Sequence, residues 1–302
     1  MNKIAIIGCG NVGMAYGYAL ITSNASIDEL VLIDIDTSKA QGEALDLQHS
    51  AVFKQNKCKI YAGTYADCND ANIAVICAGR NQDKGETRSQ LIDKNFKIFQ
   101  DVIFQLKTNE FNGIYLVATN PLDVMTYVTY RLSGAPHNKV IGSGTILDSA
   151  RLRSLISNKT DIDPDNIHAY VIGEHGDSEM IPWSLIRIGL NNVEEFINKQ
   201  TQDAILEDVR QSAYKIINLK GNTAYGIGVC LVKITEAILN DDNTILTVSS
   251  YNQEKDVYLG YPTIINSTGA LKQIELTLNK EEQEELNNSI KKIKENISNL
   301  NL

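Results

Sequence analysis

The sequence predicts an α/β chain: a doubly wound parallel sheet, residues 1–143, followed by an α+β domain over 144–302. Three observations carry this. Short, mostly apolar runs recur at 3–7, 30–33, 73–77, 114–117 and 140–141, with helical spacing between them. Apolar strands without alternation belong in a parallel sheet covered on both faces. From about Thr145 the alternation stops, and helices give way to three closely spaced strand-like runs.

Composition narrows the class. A chain of 302 residues with 43% hydrophobic and 22% charged content has room for about two domains. The net charge of −9 argues against a nucleic-acid or anionic-membrane partner. No apolar run approaches the roughly 20 residues of a membrane span. Cys9, Cys58, Cys68, Cys77 and Cys230 are odd in number and scattered, with no CxxC pair. Reduced thiols in a cytoplasmic enzyme are expected, with neither a disulfide frame nor a metal site.

In order, the strand at 3–7 runs into Gly8-Cys9-Gly10-Asn11-Val12-Gly13 and a helix through 14–21. The next strand, 30–33, ends in Asp34, about 20 residues past the last glycine, the spacing of a dinucleotide-binding (Rossmann) unit. Gly8 permits the tight turn, Gly10 admits a pyrophosphate, and Gly13 lets helix and strand pack closely. The helix N-terminus offers N–H groups to phosphate. Asp34 accepts from a ribose and repels a 2′-phosphate, which favours NAD over NADP. The strands at 73–77, 114–117 and 140–141 end at Gly79, Asn120 and Gly142, where ligands of such sheets bind. The polar segment 80–88 before a helix over 89–107 reads either as a mobile lid or as an ordinary solvated loop.

The second half opens with a helix to about 160. A strand at 167–172 leads into Ile172-Gly173-Glu174-His175-Gly176-Asp177, which holds one of four histidines. An imidazole presented between glycines suits proton exchange, but a turn histidine facing solvent fits those residues too. Helices at 201–219 and 223–239 follow, then strands at 244–249, 257–265 and 271–278. Leu286, Ile290, Ile293 and Ile297 mark a closing amphipathic helix over 280–297. Asp148 and Arg151, three residues apart, share a helix face, either as a surface ion pair or as a carboxylate for His175 beside a fork for a substrate carboxylate.

Taken with Ala78-Gly79-Arg80-Asn81-Gln82, Gly85-Glu86-Thr87-Arg88, Thr119-Asn120-Pro121, Leu147-Asp148-Ser149-Ala150-Arg151 and Gly173-Glu174-His175-Gly176-Asp177, the chain resembles the lactate/malate dehydrogenase family, and within it the bacterial L-lactate dehydrogenases. The likeness runs nearly the whole length. It implies reversible hydride transfer between NADH and pyruvate, giving L-lactate. His175 would be the proton donor and acceptor, Asp148 its carboxylate, Arg151 the grip on the substrate carboxylate, and Arg88 the lid arginine that polarises the carbonyl. Asn120 would lie near nicotinamide and carbonyl. Gly8, Gly10, Val12, Gly13, Asp34, Lys39, Tyr65, Gly79, Ser143 and Ile227 would line the dinucleotide groove.

Gln82 stands where malate dehydrogenases of the family carry an arginine. A second substrate carboxylate would face it without a countercharge, so a monocarboxylate is expected. Thr223 would sit near the substrate methyl group. Ala224 and Arg80 depart from the expected pattern, which keeps a broader, hydroxyisocaproate-like 2-hydroxyacid dehydrogenase open, with malate dehydrogenase behind it. By the same resemblance, Arg153 and His168 match positions that bind fructose 1,6-bisphosphate between subunits of a homotetramer. A non-catalytic NAD sensor would need Asp34 and the glycines but not His175, Asp148, Arg151 and Arg88 together.

Overall fold

The computed structural model describes residues 1–53, 57–80, 85, 87–298 and 300, with Arg88 described by its backbone alone. The expectations for Gln82 and for the Arg88 side chain lie outside what is described.

The first half alternates β1 (Lys3–Ile7), α1 (Asn11–Thr22), β2 (Glu29–Ile33), α2 (Thr37–Ala51), β3 (Lys59–Ala62), β4 (Ile73–Ile76), α3 (Arg88–Thr108), β5 (Ile114–Val117), α4 (Leu122–Ser133) and β6 (Val140–Gly142). The second half runs α5 (Ile146–Thr160), β7 (Ile167–His168), β8 (Arg187–Ile188), β9 (Asn191–Asn192), α6 (Lys199–Lys220), α7 (Tyr225–Leu239), β10 (Thr244–Asn252), β11 (Val257–Asn266), β12 (Gly269–Gln273) and α8 (Lys280–Ser298).

Six parallel strands lie in the order β3-β2-β1-β4-β5-β6. The chain order reverses between β1 and β4, so a crevice forms beyond their carboxyl ends, where such sheets take ligands. The three late strands are not a separate layer. β10 joins the β6 edge antiparallel through Ser249 and Gly142, and β11 and β12 continue the same sheet outward.

Several boundaries differ from expectation. Helix α1 begins at Asn11, so Gly13 lies in its first turn. Of the run 271–278, strand β12 takes in only the part up to Gln273; Leu276 and Leu278 alternate because they pack under α8 with Leu286 and Ile290. The run 167–172 forms a ladder only over β7, after which Ile172 bridges Met180. In α4 Leu122 to Thr129 are all buried, so polar Asp123, Thr126 and Thr129 face the interior rather than water. Its Thr126 and Thr129 hydroxyls return to the Leu122 and Met125 carbonyls at 2.7 and 2.8 Å.

The two halves also meet through α1 and α7. Gly228 places α7 against the α1 backbone: a Cβ there would lie 2.8 Å from the Ala15 carbonyl carbon. Beside it, the buried Tyr16 hydroxyl bonds Thr235 Oγ1 at 2.7 Å. Gly228→Ala must therefore push two helix backbones apart, and should destabilise the fold by about 1–3 kcal/mol in urea unfolding. An unchanged midpoint would show that the crossing has slack.

Candidate active site

The dinucleotide side is built first from backbone. Gly8 turns at φ +102° out of β1, and a Cβ there would meet the Ala78 amide nitrogen at 2.5 Å. A Cβ on Gly13 would meet the Gly8 carbonyl oxygen at 2.1 Å. Only glycine fits either position. Gly10 differs: a Cβ would meet nothing within 4 Å, and as N-cap of α1 it offers no side chain to the first-turn amides. That open, uncapped helix start fits a pyrophosphate.

At the end of β2 the Asp34 carboxylate is held by two amides, Cys9 at 2.7 Å and Asp36 at 3.0 Å. Both bonds orient it at the mouth of the glycine turn. Val12 and Ile227 are half-buried against the core behind that turn, and Ser143 is buried just past β6. Lys39 is exposed at the start of α2, where its amide donates to the Asp36 cap at 3.0 Å. Tyr65 is half-buried, and burial pushes its hydroxyl up, so it stays protonated. Gly79 packs on Thr119, whose hydroxyl donates to the Ala78 carbonyl at 2.9 Å. These residues fit a dinucleotide laid across the switch point.

The polar side centres on Asp148, in the first turn of α5 and 2% exposed. Its Oδ2 meets His175 Nδ1 at 2.6 Å, and its Oδ1 accepts from Arg151 Nη1 at 2.7 Å. The i,i+3 spacing thus joins the histidine in a line rather than making a surface pair. Asn120 is exposed at the end of β5, and Thr223 is half-buried in front of α7. Arg153 and His168 stand apart from this line. Arg153 donates to the Pro164 carbonyl at 2.5 and 2.9 Å and to Asp165 at 3.1 Å, and His168 is exposed on β7 opposite Arg187.

Residues that the sequence did not single out hold these parts in place. Asp123, 2% exposed in the first turn of α4, accepts from the His175 amide at 2.8 Å and from Ser249 Oγ at 2.5 Å. It pins the histidine loop to α4 and β10. Asn95, fully buried on α3, accepts from the Arg80 amide at 2.8 Å and donates to the Asn120 carbonyl at 2.7 Å. It ties the turns after β4 and β5 together. The only sequence signal for either was a polar side chain among apolar neighbours, which is common in solvated helices. Gly173 exchanges both backbone bonds with Gly260 of β11, at 2.9 and 2.8 Å, so the sheet extension carries the loop.

Electrostatics follow from this geometry. Burial alone would lower the His175 pKa. The Asp148 charge and hydrogen bond outweigh it, with smaller help from Glu179 and Asp123, and raise it to about 9. Burial opposes the Asp148 charge as well, but His175 and Arg151 together hold this carboxyl below its ordinary value. A quarter of the His175 side chain remains exposed, so the ring can meet a ligand. Buried Asp123 is pushed up to about 6.

A ring pKa raised above the unfolded value of 6.5 stabilises the fold below pH 6.5. That contribution is lost as pH rises through about 9. Wild type should therefore lose stability relative to His175→Asn between these values in urea titrations, and parallel curves would contradict the pairing. Asp148→Asn leaves burial without the opposing charge, so its ring should titrate below wild type.

Residues 2–142 match the model of the lactate/malate dehydrogenase NAD binding domain, and residues 145–301 that of the lactate/malate dehydrogenase alpha/beta C-terminal domain. L-lactate dehydrogenase 2 of Bacillus anthracis is 45% identical, over 99% of this chain and 98% of that protein. L-lactate dehydrogenase 2 of Peribacillus psychrosaccharolyticus is 47% identical, over 98% and 95%. Among solved structures, lactate dehydrogenase MGS-M5 from a Medee basin deep-sea metagenome superposes with a TM-score of 0.95 at 44% identity, covering 98% of each chain. The minor L-lactate dehydrogenase of Enterococcus mundtii in its ligands-bound form superposes with 0.96 at 36% identity, covering 100% of this chain and 99% of that one. The chain belongs to the lactate/malate dehydrogenase family and carries that family's NAD-binding domain.

Proposed function

We propose that the chain is an NAD-dependent L-lactate dehydrogenase interconverting pyruvate and L-lactate. The observation that carries this is the Arg151–Asp148–His175 line, in a chain whose glycine turn after β1 suits a dinucleotide. Asp34 and the glycine turn would hold NADH, which when bound would supply the hydride for the keto carbon. Arg151, with one N–H given to Asp148, turns the rest of its fork to the substrate carboxylate. His175, protonated near neutral pH, gives its Nε2 proton to the carbonyl oxygen and recovers it in the reverse direction. Asp148 keeps the Nδ1 side bonded, which fixes the tautomer and favours the charged ring. Arg88, by its place in the sequence, brings a positive charge to the developing oxyanion, with Asn120 beside it. Ala224, buried at the start of α7, supports a second reading, a pocket that accepts bulkier 2-oxo acids.

Around this chemistry we place a cytoplasmic, glycolytic and fermentative homotetramer activated by fructose 1,6-bisphosphate. Among the described residues no helix is long and apolar enough to cross a membrane. Arg153 and His168 offer a guanidinium and an imidazole per subunit to a bisphosphate. Two facing subunits would supply two of each.

NADH oxidation with pyruvate should exceed that with oxaloacetate and 2-oxoisocaproate, and His175→Ala should lower kcat by about two orders of magnitude or more. Faster turnover of 2-oxoisocaproate would favour the second reading, and failure to oxidise NADH with any of the three acids would overturn the function. Gln82→Arg should raise oxaloacetate over pyruvate in kcat/KM by at least about tenfold, or about 1.4 kcal/mol. Replacing Arg153 and His168 by alanine should abolish the response of the pyruvate saturation curve to fructose 1,6-bisphosphate. A wild-type curve that ignores the sugar phosphate at both acid and neutral pH would remove the regulatory assignment.

A further inference from the structure

Glu179 lies four residues past His175, and no step of the chemistry above is assigned to it. It is 3% exposed, and its Oε1 is buried without a hydrogen-bond partner among the described residues. One oxygen of Glu179, one of Asp148 and a ring nitrogen of His175 all lie within 4.8 Å of one another. On its other side is Arg210 of α6, whose Nη2 donates to the Glu179 carbonyl at 2.9 Å. The Arg210 Nε is likewise buried and unpartnered among the described residues. An acidic side chain near the histidine and a cationic one bound to its backbone thus each hold an atom unpaired among the described residues.

Such a trio of ligand atoms invites a cation, but the chemistry here opposes one. Both Asp148 oxygens are engaged, and the guanidinium groups of Arg151 and Arg210 bear on the Glu179 carboxyl. A proton is the cation that fits. Burial first, and then the Asp148 charge, push the Glu179 carboxyl up to about 8, against the pull of His175, Arg151 and Arg210. Glu179 and His175 therefore change charge in neighbouring pH ranges and act on each other. The other groups facing them lie outside that window where they titrate: Asp123 from α4 near pH 6, and the buried Cys230 thiol from α7 near 12. Asp148 is already ionised, the arginines keep their charge, and Glu174, on the same loop, acts on Asp123.

We propose that Glu179 is a positioning residue for the catalytic proton: its buried carboxyl, with an oxygen within 4.8 Å of a His175 ring nitrogen and an Asp148 oxygen, adds a negative charge that holds that ring protonated to higher pH than Asp148 alone would. Glu179 releases its proton to solvent; none passes to the ring. The consequence is a pyruvate-reducing form that persists further into the alkaline range. This rests on His175 being the proton donor, so the test reads the ring directly as well as the turnover.

The protein has four histidines, so ring-labelled samples give few NMR signals, with His175 identified by its loss in His175→Gln. Glu179→Gln keeps the side-chain volume and removes the charge. Its His175 ring should titrate about one pH unit below wild type, the effect of one charge about 5 Å away through a partly screened medium. Glu179→Asp, which restores the charge, should recover at least half of that shift. In kcat/KM for pyruvate, the ratio of the Gln variant to wild type should fall about fivefold between pH 6 and pH 9, following the protonated fraction of the ring. A ring that titrates alike in wild type and the Gln variant would overturn the proposal. So would a loss of activity equal at every pH, which marks a merely structural residue. A shifted ring in a protein that reduces no 2-oxo acid would sink the proposed function and leave the coupling intact.

Discussion

A carboxylate withdrawn from water must have both oxygens bonded, or its burial outweighs whatever it gains. Asp148 meets that requirement with two cationic partners, Arg151 on one oxygen and His175 on the other. The rest of the second half can be read as the scaffold for those two bonds. α5 starts shortly after β6, which puts Asp148 in a first helical turn, where the helix dipole also favours a negative charge. Gly144, at φ +60°, makes that start possible: a Cβ there would lie 2.3 Å from the Ser249 amide of β10.

The histidine has to arrive from a loop, and loops are imprecise unless a rigid element carries them. Among the bonds that fasten the loop are those from Gly173 to Gly260 of β11, from the His175 amide to Asp123 of α4, and from the ring to Asp148 of α5. Two of these anchors reach strands that extend the parallel sheet past β6, one directly and one through Ser249. Continuity of the sheet therefore has a chemical consequence, because it sets the ring against the carboxylate at a fixed distance. Magnitude decides the ring's charge as well. Burial would make it neutral, but a hydrogen-bonded carboxylate at 2.6 Å is the stronger influence, and the ring stays charged until about pH 9.

The parts of this arrangement that sequence revealed are those in which a physical need dictates a residue type at a short spacing. Gly8 and Gly13 are demanded by backbone contacts under 3 Å, so the glycines mark the turn unaided. Asp34 follows a strand end, Asp148 and Arg151 share a helix face, and His175 stands between glycines. What stayed hidden depends on partners distant in the chain. Asp123 finds Ser249 across 126 residues, and Asn95 matters only because the turns after β4 and β5 come together. Nothing local told Glu179 from a solvated loop acid. In the fold, α4 buries Leu122 to Thr129 with their polar members included, and β10 joins the sheet through a single pair, Ser249 with Gly142. Alternation at 271–278 suggested a strand, whereas Leu276 and Leu278 alternate to pack beneath α8.

The central claim is that the Asp148 line presents a cationic fork and an acidic ring to one 2-oxo acid. A crystal structure with NADH and oxamate, a non-reacting analogue of pyruvate, tests it most directly. The account predicts the oxamate carboxylate in a paired grip by Arg151 and its carbonyl oxygen about 2.7–3.2 Å from His175 Nε2. Oxamate bound with its carboxylate away from Arg151, or with its carbonyl out of reach of the ring, would contradict it.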